Sequence, residues 1–388
     1  MNRRLTALLL GCLLLAPLCA LAAEPASTAM LRNGGSFVFV LREDGAVRAW
    51  GDNRKGQLGT VPLKLKLTPV PAADGLDGHQ IQDIQCGNEN TLFLMKDGTV
   101  WTCGAYSRGT QGLGRLKDYV RKPTQIPGLE NIVQITCGFG HNAALDREGR
   151  IWIWGRNDLG QLGLGDKASR DTPVRMELEN ITAVNCGGKF TLAQDAGGQL
   201  WGWGSNAYRV LQDSAKKVFL SPLALEGFDG MTVTSFSGGS DCAFFLDDQG
   251  VLWGRGRNEY KQIGSSDAAW KTSPRLTKVD IPEKVAVVCA YSAATGALTE
   301  NGNVWIWGST SAGQLGNGTA PNGTLPVLAW DRGDAVEIAI GSLIASVRTA
   351  DGAVYVTGYN KYGQLGNDTT KTSKVWIANG TNVYDTDP

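Results

Sequence analysis

Residues 149–163 read Gly149-Arg150-Ile151-Trp152-Ile153-Trp154-Gly155-Arg156-Asn157-Asp158-Leu159-Gly160-Gln161-Leu162-Gly163. Trp152 and Trp154 are two apart, so a strand would carry both indoles on one of its faces. Gly155 ends that strand, and an Asn- and Gly-rich loop follows. Taken singly, the stretch specifies a strand and a turn. It decides the fold because it recurs.

Seven glycines follow an aromatic strand in this way: Gly51, Gly104, Gly155, Gly204, Gly256, Gly308 and Gly358. They lie about 50 residues apart, the length of one four-stranded blade. Six residues before each is a hairpin-turn glycine, Gly45 in the first copy and Gly352 in the last. Eight residues after each is another glycine, except in the fourth copy, where Gln212 takes its place. The third copy reads as four strands: 131–136, 141–145, 151–154 and 172–176. A tight Gly138-Phe139-Gly140 loop and an Asp146–Gly149 turn separate the first three. The expected fold is therefore all-β, a seven-bladed β-propeller of four-stranded antiparallel blades. A solenoid would leave two ends needing caps. Here the first copy begins near Thr28, and the tail from Ser373 to Tyr384 is expected to pair with it in one sheet. That pairing would close the ring and remove an exposed edge.

Composition agrees. Glycine supplies 51 of 388 residues and tryptophan 12, with few helix-like stripes, as a turn-rich β protein requires. The formal net charge is zero, which excludes a strong global pull toward nucleic acid or membrane. Residues 1–23 read as a signal peptide: Arg3 and Arg4, an apolar run from Leu5 to Leu18, then the small-x-small site Ala20-Leu21-Ala22. The expected location is periplasmic or extracellular. The apolar run is too short for a span, so no stable membrane anchor is expected, and residues 24–388 form the propeller.

The segment Trp154-Gly155-x-Asn157-x-x-Gly160-Gln161-Leu162-Gly163, with Cys137-Gly138-x-x-His141 upstream, resembles the repeat of the regulator of chromosome condensation (RCC1) family. Trp307-Gly308, Gly313-Gln314-Leu315-Gly316 and Gly363-Gln364-Leu365-Gly366 repeat the resemblance, which covers nearly all of the mature chain and is of the exported, bacterial type. The family's propellers include a guanine-nucleotide exchange factor, a plant UV photoreceptor and a secreted β-lactamase inhibitor. The resemblance therefore implies a fold and leaves function to the sites carried on it.

Column by column, the recurring residues read as scaffold. Three before the anchor glycine stand Trp101, Trp152, Trp201, Trp253 and Trp305; one before it stand Trp50, Trp154, Trp203 and Trp307, with Cys103, Arg255 and Thr357 in the other copies. These aromatics are expected to pack between blades, each removing ~150–250 Å2 from water. Cys86, Cys137 and Cys186 share one repeat position, so they ring the axis and are expected as buried free thiols. The chain has two histidines, His79 and His141, and no Cys-x-x-Cys, His-Glu-x-x-His or P-loop pattern. No catalytic residue, metal or cofactor is assigned, and the chain is read as non-enzymatic.

Charge separates by loop. The long loops after the Gln-Leu-Gly motif carry cations, among them Lys64, Arg121, Lys122, Lys167, Lys216, Lys217, Lys271 and Lys371. The hairpin turns and linkers carry acids, including Asp97, Asp146, Asp195, Asp247, Glu130 and Glu226. One basic and one acidic disc face follow. The basic side also holds Tyr119, Phe219 and Trp270, with Phe139 and Phe190 in its tight loops. The candidate partner-binding set is Tyr119, Arg121, Lys122, Phe139, Phe190, Lys216, Lys217, Phe219, Trp270 and Lys271, because aromatic anchors within a charged rim suit a protein partner. The expectation is a monomeric, exported macromolecule-binding scaffold. Two narrower readings stand beside it: an inhibitor of a secreted enzyme such as a β-lactamase, and an acidic-glycan lectin or lyase. Nucleotide exchange is not expected of an exported chain, nor is a nucleic-acid partner.

Overall fold

A computed structural model describes residues 29–76, 80–114 and 119–385. Residues 1–23, read as a signal peptide, and His79 lie outside them. Every regular element among the described residues is a strand, and the strands form seven separate four-stranded antiparallel sheets. These are the blades: 30–71, 81–125, 132–175, 181–224, 233–278, 285–330 and 335–382. In each, the strands are neighbours in chain order, from the inner strand at the axis to an outer strand at the rim.

The anchor glycine is required by the backbone. Gly155 has φ +100°, and a Cβ there would sit 2.6 Å from the carbonyl oxygen of Gly140. The register with the outer strand shifts between Ile153 and Gly155, so the strand bends where the glycine stands. The same left-handed φ recurs at all seven anchors.

The residue before the anchor joins each blade to the one before. Trp154 Nε1 donates to Thr110 O at 3.0 Å, Trp203 to Gln161 O at 2.9 Å and Trp307 to Gln262 O at 2.7 Å. All three indoles are fully buried. Each lies on the glycine eight after the previous anchor: a Cβ at Gly163 would sit 2.7 Å from Trp203 Cδ1. The three copies lacking tryptophan keep the bond by other means. Cys103 Sγ contacts Gln57 O at 3.5 Å, Thr357 Oγ1 donates to Gly313 O at 2.9 Å, and Arg255 Nε donates to Val210 O at 2.9 Å. In blade 7 the missing indole comes from the outer strand: Trp376 lies on Gly316 and donates to Ala329 O at 2.8 Å. The second column behaves differently. Trp152, Trp201 and Trp253 are half-buried and donate to the acid of their own hairpin, Asp146, Asp195 and Asp247.

Ring closure differs from the expectation. The terminal strands do not share a sheet: Met30–Asn33 pairs within blade 1, and Ser373–Asn382 completes blade 7. Each terminal blade already has four strands of its own, so no vacancy is left for a borrowed one. The seam is closed by packing and side-chain bonds instead. Leu31, Val38, Val40 and Trp50 form one apolar cluster with Ile344, Val354, Val356 and Leu365. Asn33 Nδ2 donates to Ala339 O at 2.9 Å, and Arg32 Nη1 meets Glu337 Oε1 at 2.7 Å.

Candidate interaction surface

The two faces are assembled as the loop order predicts. The long loops meet the tight loops after the inner strands: Arg156 N donates to Gly140 O, and Lys55 Nζ pairs with Glu89 at 2.5 Å. The hairpin turns meet the linkers on the other side, as in Arg147 N to Asn131 O and Ala196 N to Asn180 O.

The candidate residues divide. Trp270 is 75% exposed and Tyr119 40% exposed, and Lys216, Lys217 and Lys271 are exposed beside the long loops. Arg121 and Lys122 are exposed but lie on the outer strand of blade 2, Val120–Gln125, at the rim rather than in a loop. Phe190 is no surface residue. It is fully buried at the start of the second strand of blade 4, at the position that Phe37 and His141 fill in other copies, and it packs with Leu192 and Ala243. Phe219 is 8% exposed, covered by Lys216, whose Nζ lies 4.7 Å from its ring centroid. Phe139 is turned to the axis, where its ring meets Tyr291 of blade 6 with centroids 5.1 Å apart. A tight two-glycine loop gives its aromatic no reach outward, and the nearest apolar surface is across the channel.

That aromatic pair lines the axial cavity, a space of about 130 Å3. Cys86, Cys137, Cys186 and Cys289 are on its wall. All six described cysteines are free thiols, and burial raises those of Cys86, Cys103, Cys137, Cys186 and Cys242 above the ordinary thiol range. They are inert to oxidation relative to an exposed thiolate. No three His, Cys, Asp or Glu side chains among the described residues converge to hold a metal ion. His141 is fully buried, its Nε2 3.0 Å from Thr191 Oγ1 in the next blade, and burial lowers its pKa to about 3. It is a neutral inter-blade contact to the Thr191 hydroxyl, which in turn donates to Gln161 O at 2.8 Å.

The charge of the loop face is partly cancelled by acids on the same face, a correction to the expectation of a uniformly basic one. Arg54 pairs with Asp52, Arg156 and Arg108 with Asp158, Arg209 with Asp213, and Arg257 with Glu259 and Asp241. The arginines hold the Asp158 carboxyl down at about 2, Arg156 contributing most. Arg257 also lies between the rings of Tyr208 and Tyr260, and Arg54 lies over Tyr362. The signal was present in the columns: the first and third residues after the anchor are Asp52 and Arg54, Arg156 and Asp158, Arg257 and Glu259. Among the described residues Lys64, Lys167, Lys216, Lys217, Lys261, Lys271, Lys361 and Lys371 form no ion pair. The face is thus a mosaic of neutralised arginines and uncompensated lysines.

Residues 20–290 match the RCC1-like domain family. The chain is similar to the ultraviolet-B receptor UVR8 of Arabidopsis thaliana, at 29% identity over 285 residues, 72% of this chain and 64% of the receptor. It is similar to the probable E3 ubiquitin-protein ligase HERC4 of Homo sapiens, at 30% over 321 residues, 69% of this chain and 26% of the ligase. The chain therefore spans less than two thirds of either relative. Among solved structures, human WBSCR16 superposes with TM-score 0.74 at 21% identity, covering 87% of this chain and 94% of that one. Yeast RCC1 (Prp20), solved with Kap60, gives 0.71 at 22% identity, covering 80% and 78%. At such identities the superpositions concern the fold alone. With the family match spanning most of the chain and seven blades present, the chain belongs to the RCC1-like domain family.

Proposed function

We propose that this chain is an exported, non-catalytic RCC1-like propeller that binds a protein partner through its long-loop face. One observation carries the reading: unpaired lysines stand on that face together with Trp270, an indole 75% exposed. A tryptophan left in water has a large apolar area available for a partner, and such anchors dominate interface energetics. The unpaired ammonium groups around it would steer an acidic partner. Yeast RCC1, whose structure shares this fold, was solved with Kap60 bound, which supports a protein partner as the class of ligand. Export rests on the leader reading of residues 1–23 alone. A projecting indole also suits an inhibitor that fills a pocket of a secreted enzyme, which keeps that reading as the second.

The test is affinity capture from an extracellular or envelope fraction, comparing wild type with Trp270→Ala and Lys271→Glu. Both variants are expected to keep the wild-type melting temperature and lose the captured protein. Capture unchanged by both would reject the face.

A further inference from the structure

The outer strand of blade 4, Val218–Ala224, forms the floor of an open groove of about 570 Å3. Val218, Phe219, Leu220, Pro222 and Leu223 give it an apolar lining. Lys167, from the long loop of blade 3, and Lys216 bring the charges, and no carboxylate lines it. The loop and the strand are tied where Gly165 N donates to Leu220 O at 2.8 Å, so the groove runs across the seam between two blades.

The cations here have no internal counter-charge. Asp166, next to Lys167, is taken by Arg170 at 2.6 Å, and Asp213 is taken by Arg209 at 2.8 Å. Lys216 Nζ lies 4.7 Å from the centroid of Phe219, which holds the ammonium against the apolar floor. Blade 4 is also the one copy without a glycine eight residues after its anchor. Arg209-Val210-Leu211-Gln212 stands where four copies have Gly-Gln-Leu-Gly, and Lys216-Lys217 follows it, beside the groove.

We propose that this groove docks an extended acidic peptide segment of the partner, with apolar side chains alternating between its carboxylates. The proposal rests on the reading of the long-loop face as a protein-binding surface and specifies the chemistry of what binds there. The carboxylates would meet Lys167 and Lys216, and the apolar side chains would cover Leu220, Pro222 and Leu223. A polyanionic glycan satisfies the lysines and leaves the apolar floor wet. A flat lipid surface does not follow a recess.

The experiment uses the whole propeller and a fluorescein-labelled hexapeptide alternating glutamate and leucine, read by anisotropy. A glutamine–leucine hexapeptide, polygalacturonate and phosphatidylglycerol vesicles serve as competitors. The glutamate peptide is expected to bind in preference to all three, and its affinity is expected to fall about tenfold or more in Lys167→Glu/Lys216→Glu. Lys64→Glu/Lys371→Glu, elsewhere on the face, is expected to change it less than about twofold. No binding by wild type, equal loss in both double variants, or preference for the glycan or vesicles would overturn the proposal. Trp270 and Lys271 do not line the groove, so capture lost through them with peptide binding unaffected by Lys167→Glu/Lys216→Glu would reject the groove and leave the wider reading standing.

Discussion

The indole of Trp50 donates to the carbonyl oxygen of Gln364 at 2.8 Å, joining residues 314 positions apart across the seam between the first and last blades. The bond is of the same kind as those of Trp154 and Trp203, so the ring closes with an ordinary inter-blade contact. Trp50→Phe keeps most of the apolar volume and strands a buried acceptor. It is expected to cost about 1–3 kcal/mol in urea denaturation. Trp307→Phe, which removes the indole donor to Gln262 O in the same way, should cost a similar amount. A much smaller loss at Trp50 would show the seam to be open in solution.

The same seam holds a buried charge network. Glu337 accepts from Arg32 at 2.7 Å, from Arg348 at 2.8 Å and from the amide of Leu31 at 3.1 Å, and Arg32 also meets Asp83 of blade 2 at 3.0 Å. The Glu337 and Arg348 side chains are 4% and 5% exposed. Glu337→Gln removes the negative charge between the buried Arg348 and the partly buried Arg32 guanidinium groups and is expected to destabilise by about 3–5 kcal/mol. Adding Arg348→Met should recover part of that loss, and a double-mutant cycle by denaturant titration measures it.

Gln212 and Arg255 are two breaks of the repeat that the structure shows to be one. An indole before the anchor needs the glycine of the preceding blade beneath it; where blade 4 has Gln212, blade 5 has Arg255. The guanidinium is 3% exposed, donates to Val210 O, Leu211 O and Glu226 O, and lies near the rings of Phe228 and Phe245. Burial lowers its pKa to about 10, which leaves it charged at neutral pH. Arg255→Trp alone is expected to destabilise, because the indole meets Gln212. Adding Gln212→Gly should restore stability, with a coupling of about 1–3 kcal/mol by thermal or urea unfolding. Independent effects would refute the pairing.

The blade count, the four strands per blade and the two faces were legible because glycines with forced left-handed φ recur in every copy and a buried indole precedes the anchor in four of the seven. Gly155 and Trp154 are such positions. The closure was not legible, since whether Ser373–Asn382 completes its own blade or another's depends on partners distant in sequence. Exposure on the candidate face was half legible. That of Trp270 and Lys216 follows from loop position and residue type. Phe190 was misplaced because a phenylalanine one residue past a tight loop can point either way, and its column mates Phe37 and His141 were the available clue. The arginine–acid pairs are visible only by repeat column, as at Arg156 and Asp158, since such a pair lies within a single loop and cancels there.

His141 gives stability a specific acid dependence. Its folded pKa is about 3, below the ordinary value near 6.5 because the ring is buried. The unfolded chain therefore takes up a proton that the folded chain refuses as pH drops below about 6.5. The contribution is fully present above that pH and is lost progressively down to the folded pKa. Between pH 7 and pH 4 this one group should cost on the order of 3 kcal/mol. His141→Phe, the residue standing at this position in blades 1 and 4, should flatten the difference in stability between those two pH values by that amount. Equal pH dependence in wild type and variant, measured by urea titration, would place the histidine in a protonatable environment.

Phe190 and Trp270 separate scaffold from surface. Phe190 is fully buried among Leu192 and Ala243, so Phe190→Ala removes apolar contact that the blade cannot regain by collapse and should cost about 3–5 kcal/mol. Trp270 at 75% exposure has little folded-state packing to lose, and Trp270→Ala should leave the melting temperature within a degree or two of wild type. If Trp270 anchors a partner, the same change should weaken the complex by about 2 kcal/mol or more, a thirtyfold rise in Kd of that order. Calorimetric melting and partner titration on the two variants therefore give opposite patterns: a large stability loss for Phe190→Ala, and a large affinity loss at unchanged stability for Trp270→Ala. A Trp270→Ala protein that melts early would mean that the indole packs onto the disc in solution, and the long-loop face would lose its anchor.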